Sequence, residues 1–207
     1  MAADERVLGM LKGKRVAVVP TAAAQHRPEL AGGNGVRHFA ALGAEASVVM
    51  ILDKADARNA ELCGRLTESD LIYLSGGDPA HLVEVFQGSL ALATLRQSAE
   101  RGSIVGGSSA GAMALGPMVA FPQQGVARGL AIVDVVTVPH SESIGEGRLR
   151  ELSRTVGNDH TIVAIPSRSA CLVTGKQLEG LGPDAVSVFA EGAWHRVEPG
   201  QELSLPK

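Results

Sequence analysis

The chain has too few cysteines to build a disulfide framework. Only Cys63 and Cys171 occur among its 207 residues, and they form no C-x-x-C pair. This spacing excludes a thiol redox motif, so both side chains are expected to be ordinary buried thiols. Such cysteine usage fits a reducing cytoplasm.

The chain also lacks an excess of positive charge. It has 19 Lys and Arg against 22 Asp and Glu, a formal net charge of -3. We therefore expect neither a nucleic-acid partner nor a polybasic membrane patch. The first residues, Met1-Ala-Ala-Asp-Glu-Arg6, have no apolar signal core, so we expect no secretory leader and a cytoplasmic protein.

Two signatures of metal and cofactor sites are missing. H-E-x-x-H does not occur, and Asp159-His160 is a lone pair of candidate ligands. Gly33-Asn34-Gly35 lacks the third glycine of the dinucleotide motif and follows no predicted strand. We therefore expect neither a metal ion nor a cofactor.

One uncharged segment, Gly102–Ala127, is long enough to suggest a membrane span. Its glycines, serines and prolines and the Gln123-Gln124 pair argue against a membrane helix. We interpret it as a buried segment of the active centre.

Apolar strands alternate with helical segments in the order β-α-β-α-β-α-α-β-α. Each strand is a continuous apolar run, which indicates a mostly parallel sheet with helices on both faces, a three-layer α/β fold. With 45% hydrophobic residues, we expect one domain over residues 1–207. The strands of this part are predicted at Arg15–Pro20, Ala46–Leu52, Asp70–Leu74 and Ile104–Val105.

The later part of the chain continues with strands and one helix. A strand over Ala131–Val138 leads directly to Pro139-His140, and the helix is predicted over Glu146–Val156. Further strands, the last three of them short and antiparallel, are predicted at Thr161–Ile165, Ala170–Val173, Ala185–Phe189 and Ala193–Val197.

The segment Gly107-Ser108-Ser109-Ala110-Gly111 has the G-x-S-x-G pattern of a nucleophile elbow. With 25 glycines in the chain, the pattern alone can arise by chance. The strand before it and the small helix-forming residues after it favour a catalytic serine, Ser109. The amide of Ala110 would then point toward a developing oxyanion.

A serine nucleophile needs a base and a second oxyanion donor. Of six histidines, only His140 follows a strand of the predicted sheet, so it ranks first as the base. Gly77 ends the strand beside the elbow and ranks first as the second donor. A structural histidine and a simple turn glycine remain the alternatives.

Three segments together resemble the serine peptidase family that contains cyanophycinase and aspartyl dipeptidase (dipeptidase E). They are Ser75-Gly-Gly-Asp78, Gly106-Gly-Ser-Ser-Ala-Gly-Ala112 and Val138-Pro-His140. The likeness covers most of residues 15 to 190. It implies a class I glutamine amidotransferase-like, flavodoxin-like α/β fold.

By this resemblance, Ser109 is the nucleophile, His140 the base, and the amides of Gly77 and Ala110 form the oxyanion hole. The family also uses a carboxylate to orient the histidine. In the family, candidate acids lie either between the elbow and the histidine or at a strand end after it. Here residues 113–129 hold no acid, and the strand end has Ser167 where a glutamate would be expected.

Several groups could replace the missing glutamate. Glu142 is the acid nearest to His140 in sequence, Asp134 and Glu146 are alternatives, and Ser167 or a water could orient the ring without a carboxylate. Arg148 is a candidate for binding a substrate carboxylate, although exposed helix arginines are common.

We expect a serine peptidase or amidase that hydrolyses small peptides through an acyl-enzyme on Ser109. The alternative is a catalytically weak or inactive member that binds peptides or amino acids as a regulatory protein. Glutamine amidotransfer, suggested only by the fold, uses a cysteine where this chain has Ser109. The oligomeric state stays open, with a homodimer as one option.

Overall fold

The computed structural model of the protein describes residues 2–121 and 125–206. Its contacts divide the chain into two compact units. The N-terminal unit comprises Val7–Leu115, and the C-terminal unit comprises Gly116–Lys207 with Met1–Arg6. The single domain expected over residues 1–207 stays a prediction.

The N-terminal unit contains a four-stranded, fully parallel sheet with the strand order β2-β1-β3-β4. Each strand is separated from the next along the chain by helices. The strands are β1 Arg15–Val19, β2 Glu45–Val48, β3 Leu71–Leu74 and β4 Ile104–Gly107, and the helices are α2 Pro28–Ala41, α3 Ala60–Thr67, α4 Pro79–Phe86, α5 Leu90–Glu100 and α6 Ala110–Leu115. Helix α1, Ala2–Met10, precedes them and begins in residues that are assigned to the C-terminal unit.

Both faces of this sheet are buried. On one face, Val16 and Val18 pack in a cluster with Phe39 of α2. Ala17 and Val19 alternate with them and therefore point to the other face, where they are also fully buried. Burial on both sides explains why the strands are continuous apolar runs. The predicted parallel sheet flanked by helices is confirmed.

The C-terminal unit has a second mixed sheet, in the order β12-β11-β8-β7, in which β7 and β8 are parallel. A three-stranded antiparallel sheet, β13-β10-β9, and a β5-β6 hairpin complete its strands. The elements are β5 Met118–Phe121, β6 Gly125–Arg128, β7 Val135–Pro139, α7 Glu146–Val156, β8 Thr161–Ile165, β9 Ala170–Thr174, β10 Gln177–Leu181, β11 Val186–Ala190, β12 Ala193–Val197 and β13 Glu202–Ser204.

The β7–β8 pair is packed on both faces. Val136 and Ile162 belong to one apolar cluster, against which Leu152 of α7 packs. Val135 and Val163 belong to a second cluster, on the opposite face. These two clusters hold the carboxyl ends of β7 and β8 in a fixed position.

Three sequence predictions differ from the structure. The strand predicted over Ala131–Val138 begins only at Val135, because Ala131 has a left-handed backbone with φ of 50°. The strand predicted over Ala46–Leu52 ends at Val48. The segment Gly102–Ala127 is not buried throughout, since Gly125 and Ala127 in β6 are exposed; Gln123 and Gln124 lie outside the described residues.

Both cysteines are free thiols. Cys63 is buried, as predicted, whereas Cys171 is half-buried at the edge of a core cluster. Burial of its thiol raises the pKa of Cys171 to about 12. Within residues 2–121 and 125–206, no helix combines the length and the apolar character needed to cross a membrane.

Candidate active site

The N-terminal unit places Ser109 in a strained turn between β4 and α6. Its φ is 49°, in the left-handed region that non-glycine residues rarely occupy. Such strain persists only where neighbouring structure enforces it, and it is common at functional sites. Ser109 is itself half-buried. The backbone at Ser109 is therefore a strained strand-to-helix turn, and its role as a nucleophile elbow stays a prediction.

The glycines of the elbow leave room for a close approach of α6 to the sheet. A Cβ at Gly107 would lie 2.7 Å from the carbonyl carbon of Gly111. A Cβ at Gly111 would lie 2.1 Å from the carbonyl oxygen of Leu74. Neither position can hold a side chain without displacing the turn, so the spacing of G-x-S-x-G has a steric cause.

The Gly76-Gly77 turn lies beside Ser109. The strands β3 and β4 are parallel neighbours, with Leu74 opposite Gly107, so both turns leave the same edge of the sheet. A Cβ at Gly76 would be 3.4 Å from the Cβ of Ser109. Gly77 is thus close enough in the fold to serve the same centre as Ser109 and Ala110.

Gly77 has a backbone that only glycine tolerates there. Its φ is 145°, and a Cβ would lie 2.0 Å from the carbonyl oxygen of Ala22. That same oxygen accepts a 2.7 Å hydrogen bond from the amide of Asp78. The turn is therefore pressed against the short 3-10 helix Thr21–Ala23, whose Thr21 hydroxyl donates to the carbonyl of Ile51.

The C-terminal unit places His140 directly after β7. Its φ is 56° and its ψ is 36°, so it too is a left-handed non-glycine residue. The 3-10 helix Ser141–Ser143 follows, and the Ser143 hydroxyl donates a 2.7 Å hydrogen bond to the His140 carbonyl. Because Pro139 pairs with Ile165 in the parallel β7–β8 ladder, the residues after both strands meet at one edge.

At that edge, His140, Ser167 and Glu142 form a chain of hydrogen bonds. Nδ1 of His140 lies 3.0 Å from the Ser167 hydroxyl. The hydroxyl donates to one oxygen of the Glu142 carboxylate, and the Ser167 amide donates to the other oxygen at 3.1 Å. We call this arrangement the His140–Ser167–Glu142 relay.

The relay determines which nitrogen of His140 carries a proton. A hydroxyl can donate one hydrogen bond, and the Ser167 hydroxyl donates its hydrogen bond to Glu142. Ser167 must then accept from Nδ1 of His140, so in the neutral ring Nδ1 bears the hydrogen. Nε2 keeps its lone pair, which is the tautomer that a general base requires.

The electrostatics of the relay favour an ionised Glu142. The hydrogen bond from the Ser167 hydroxyl lowers the pKa of the Glu142 carboxyl below its usual value, and the positive charge of His140 contributes to the same shift. The carboxylate therefore remains an acceptor at neutral pH and can stabilise a protonated His140 through Ser167.

The other candidates are placed elsewhere. Asp134 lies just before β7, at the end of the strand opposite to His140. Glu146 accepts a 3.1 Å bond from Arg150 within α7, and Arg148 donates at 3.1 Å to Glu151 on the same helix. The structure thus brings His140 together with Glu142 and Ser167, and not with the alternative acids.

A comparison of the sequence with known protein families shows to which family the chain belongs. The sequence model of peptidase family S51 matches residues 2–181. The chain belongs to peptidase family S51. The match includes the elbow, the Gly76-Gly77 turn and all three residues of the relay.

Curated relatives of this S51 protein are cyanophycinases. The cyanophycinase of Synechococcus elongatus is 36% identical over 95 residues, which cover 45% of this chain and 30% of that protein. The cyanophycinase of Trichormus variabilis is 24% identical over 189 residues, which cover 88% of this chain and 59% of that protein. The chain thus spans less than two thirds of the length of these relatives.

A solved structure supports the fold of this S51 chain. A peptidase from an acI-B1 actinobacterium superposes with a TM-score of 0.82 and 23% identity, covering 99% of this chain and 88% of the other. At that identity the likeness concerns the fold, and it confirms the predicted α/β class.

Proposed function

We propose that this S51 family member is a serine peptidase that hydrolyses small peptides through an acyl-enzyme on Ser109. The observation that carries the proposal is the His140–Ser167–Glu142 relay. It supplies a carboxylate and a fixed imidazole tautomer, two of the features that a serine mechanism requires beyond its nucleophile.

The proposed reaction uses each residue in one role. The Ser109 hydroxyl attacks the peptide carbonyl while Nε2 of His140 takes its proton. The amides of Gly77 and Ala110 donate to the resulting oxyanion. His140 then gives the proton to the leaving amine, the C–N bond breaks, and an ester on Ser109 remains. Water hydrolyses this ester by the same steps, with His140 again as base.

Ser167 and Glu142 act through His140 and are positioning residues in this scheme. Because Ser167 lies between the His140 ring and the Glu142 carboxylate, the negative charge does not contact the imidazolium directly. Its stabilising effect should be weaker than that of a carboxylate bonded directly to the ring. A moderate turnover is therefore expected, rather than an inactive protein.

The alternative, a peptide-binding or regulatory protein without catalysis, was motivated by the missing glutamate at position 167. The Ser167 hydroxyl donates to Glu142, which supports a role for this carboxylate in place of the glutamate. This contact favours the peptidase over the binding protein. The names of the relatives make cyanophycin a substrate to test beside small peptides.

The experiment is product analysis by mass spectrometry after incubation of a mixed di- to hexapeptide library, and separately of cyanophycin, with the protein. Wild type is compared with Ser109→Ala and His140→Ala. Cleavage by wild type alone supports the proposal, and the termini released identify the substrate class. Equal cleavage by Ser109→Ala refutes it, and peptide binding without any cleavage favours the regulatory alternative.

We also propose that the protein works in the cytoplasm, where its two thiols would stay reduced. The free state of Cys63 and Cys171 supports this setting.

A further inference from the structure

A cavity of about 370 Å³ lies in the C-terminal unit, next to the contact between Ser167 and Glu142. Its volume falls within the range of about 300–1,000 Å³ that is usual for small-molecule sites. The described residues that line it are Glu142, Pro166, Ser167, Arg168, Asp184, Ala185 and Arg196. It therefore shares two residues with the relay.

Two turns that form the wall of this cavity are fixed to one another. The Ser169 hydroxyl donates to the carbonyl of Asp184 at 2.8 Å and accepts from the amide of Asp184 at 3.1 Å. Gly182 has a φ of 108°, and a Cβ there would lie 2.8 Å from the Cα of Ser169. Only glycine allows this approach, so the turns carrying Arg168 and Asp184 are held in place before any ligand arrives.

The charges on the two turns do not neutralise each other. Within the described part of the chain, the Arg168 and Asp184 side chains form no hydrogen bond or ion pair, although both line the same cavity. The other two charged groups of the lining already have partners, since Ser167 donates to the Glu142 carboxylate and Nε of Arg196 is 2.6 Å from a carboxylate oxygen of Glu198. The cavity thus presents one cation and one anion that are both available to a ligand.

We propose that this cavity binds a free α-amino acid as a zwitterion. The planar guanidinium of Arg168 suits the carboxylate, which it can bind with two parallel hydrogen bonds. The carboxylate of Asp184 suits the ammonium group. A simple anion would leave Asp184 unmatched, and a simple cation would leave Arg168 unmatched. A ligand with both charges matches both.

Binding at this place changes the surroundings of the relay. Glu142 and Ser167 line the cavity, so a bound ammonium group adds a positive charge near the carboxylate that supports His140. The proposal that the cavity binds an amino acid depends only on the cavity. An effect on turnover depends also on the proposed function, because peptide hydrolysis releases amino acids, and the cavity would then bind products of the enzyme's own reaction.

The test is a titration of wild-type protein carrying ¹⁵N-labelled histidine, observed by NMR without any substrate. The His140 signals are assigned from the spectrum of His140→Gln. L-Alanine is compared with propionate, which lacks the ammonium group, and with ethylammonium chloride, which lacks the carboxylate, at matched ionic strength. We expect saturable shifts of the His140 signals with L-alanine and affinities at least about tenfold weaker with the two fragments.

The variants Arg168→Gln and Asp184→Asn should each weaken L-alanine binding at least about tenfold. Arg154→Gln and Asp159→Asn are matched controls at exposed positions outside the cavity, and they should bind as wild type does. Propionate or ethylammonium binding as tightly as L-alanine, no saturable shift with L-alanine, or equal binding by Arg168→Gln and Asp184→Asn would each overturn the proposal. Since no substrate is present, this outcome is independent of whether Ser109 is a nucleophile.

Discussion

The hydroxyl of Ser167 lies 3.0 Å from Nδ1 of His140, where the S51 resemblance leads one to expect a glutamate. The Ser167 hydroxyl donates a hydrogen bond to Glu142, so a carboxylate is still present, one hydrogen bond further away. We propose that this serine and this glutamate, 25 residues apart, together replace one acid.

The relay predicts a specific kinetic effect of neutralising Glu142. Glu142→Gln should lower kcat/KM by a factor between about ten and 10⁴, the upper bound being the loss seen when a directly bonded triad carboxylate is neutralised. The measurement is kcat/KM at neutral pH with a peptide that the library experiment identifies as a substrate.

The matched control is Glu146→Gln, which removes a carboxylate bonded to Arg150 and outside the relay. It should leave kcat/KM as in wild type. Ser167→Ala should lower kcat/KM as Glu142→Gln does, since it interrupts the same link. A kcat/KM that is unchanged in both relay variants contradicts the account.

Glu142 should also make stability depend on pH. The pKa of the Glu142 carboxyl is lowered from 4.5 in the folded protein, chiefly by the Ser167 hydrogen bond. The ionised carboxylate therefore stabilises the folded state fully above about pH 4.5, and this stabilisation is lost as pH falls through the lowered pKa. Urea unfolding of wild type and Glu142→Gln between pH 7 and pH 3 measures this. The difference in unfolding free energy should be constant at the upper end and shrink on acidification; a difference that grows on acidification contradicts the predicted shift.

The strained backbone of Ser109 predicts a trade between stability and activity. Ser109→Gly should stabilise the protein by about 1 kcal/mol, because glycine adopts a φ of 49° without the steric cost that a side chain has. It should also abolish peptide hydrolysis. Ser109→Ala, which keeps the strain, should abolish hydrolysis without this gain. Denaturant unfolding of wild type, Ser109→Gly and Ser109→Ala measures whether the free energy of unfolding rises in Ser109→Gly alone.

Gly77 should tolerate no side chain. Gly77→Ala places a Cβ 2.0 Å from the Ala22 carbonyl oxygen, so the turn must move, and we expect a loss of more than about 3 kcal/mol or of folding. Gly88→Ala is the control, since Gly88 also has a positive φ, of 67°, but has open space around it. That variant should lose only about 1 kcal/mol. Equal losses in thermal unfolding would mean that the contact with Ala22 is unimportant.

Local chemistry made part of this architecture predictable. Asp78 caps α4, accepting from the amides of Ala80 and His81, and Pro79 begins the helix, as short-range capping rules predict. The strand-to-helix turn at Ser109 was predictable from its small neighbours, although the steric reason for Gly111 is a contact with Leu74 of the adjacent strand. The helix Glu146–Val156 and the strand Thr161–Ile165 match their predicted bounds for the same local reasons.

The relay could not be derived in the same way. Glu142 meets Ser167 only because β7 and β8 pair in parallel and end at one edge, which is a matter of tertiary structure. The sequence offered Glu142, Asp134, Glu146 and Ser167 as separate alternatives, and two of them turned out to be bonded to each other. The cavity beside them likewise depends on the contact between Ser169 and Asp184, which are 15 residues apart.

The central claim, an activated Ser109, is tested most directly by labelling with a fluorophosphonate followed by intact-mass analysis and peptide mapping. The reagent forms an O–P bond to an activated serine and releases fluoride. Wild type and the neighbouring control Ser108→Ala should each gain one adduct, mapped to Ser109, while Ser109→Ala gains none and His140→Gln reacts far more slowly. An adduct that maps to another serine, or that persists in Ser109→Ala, would contradict the assignment of Ser109 as the nucleophile.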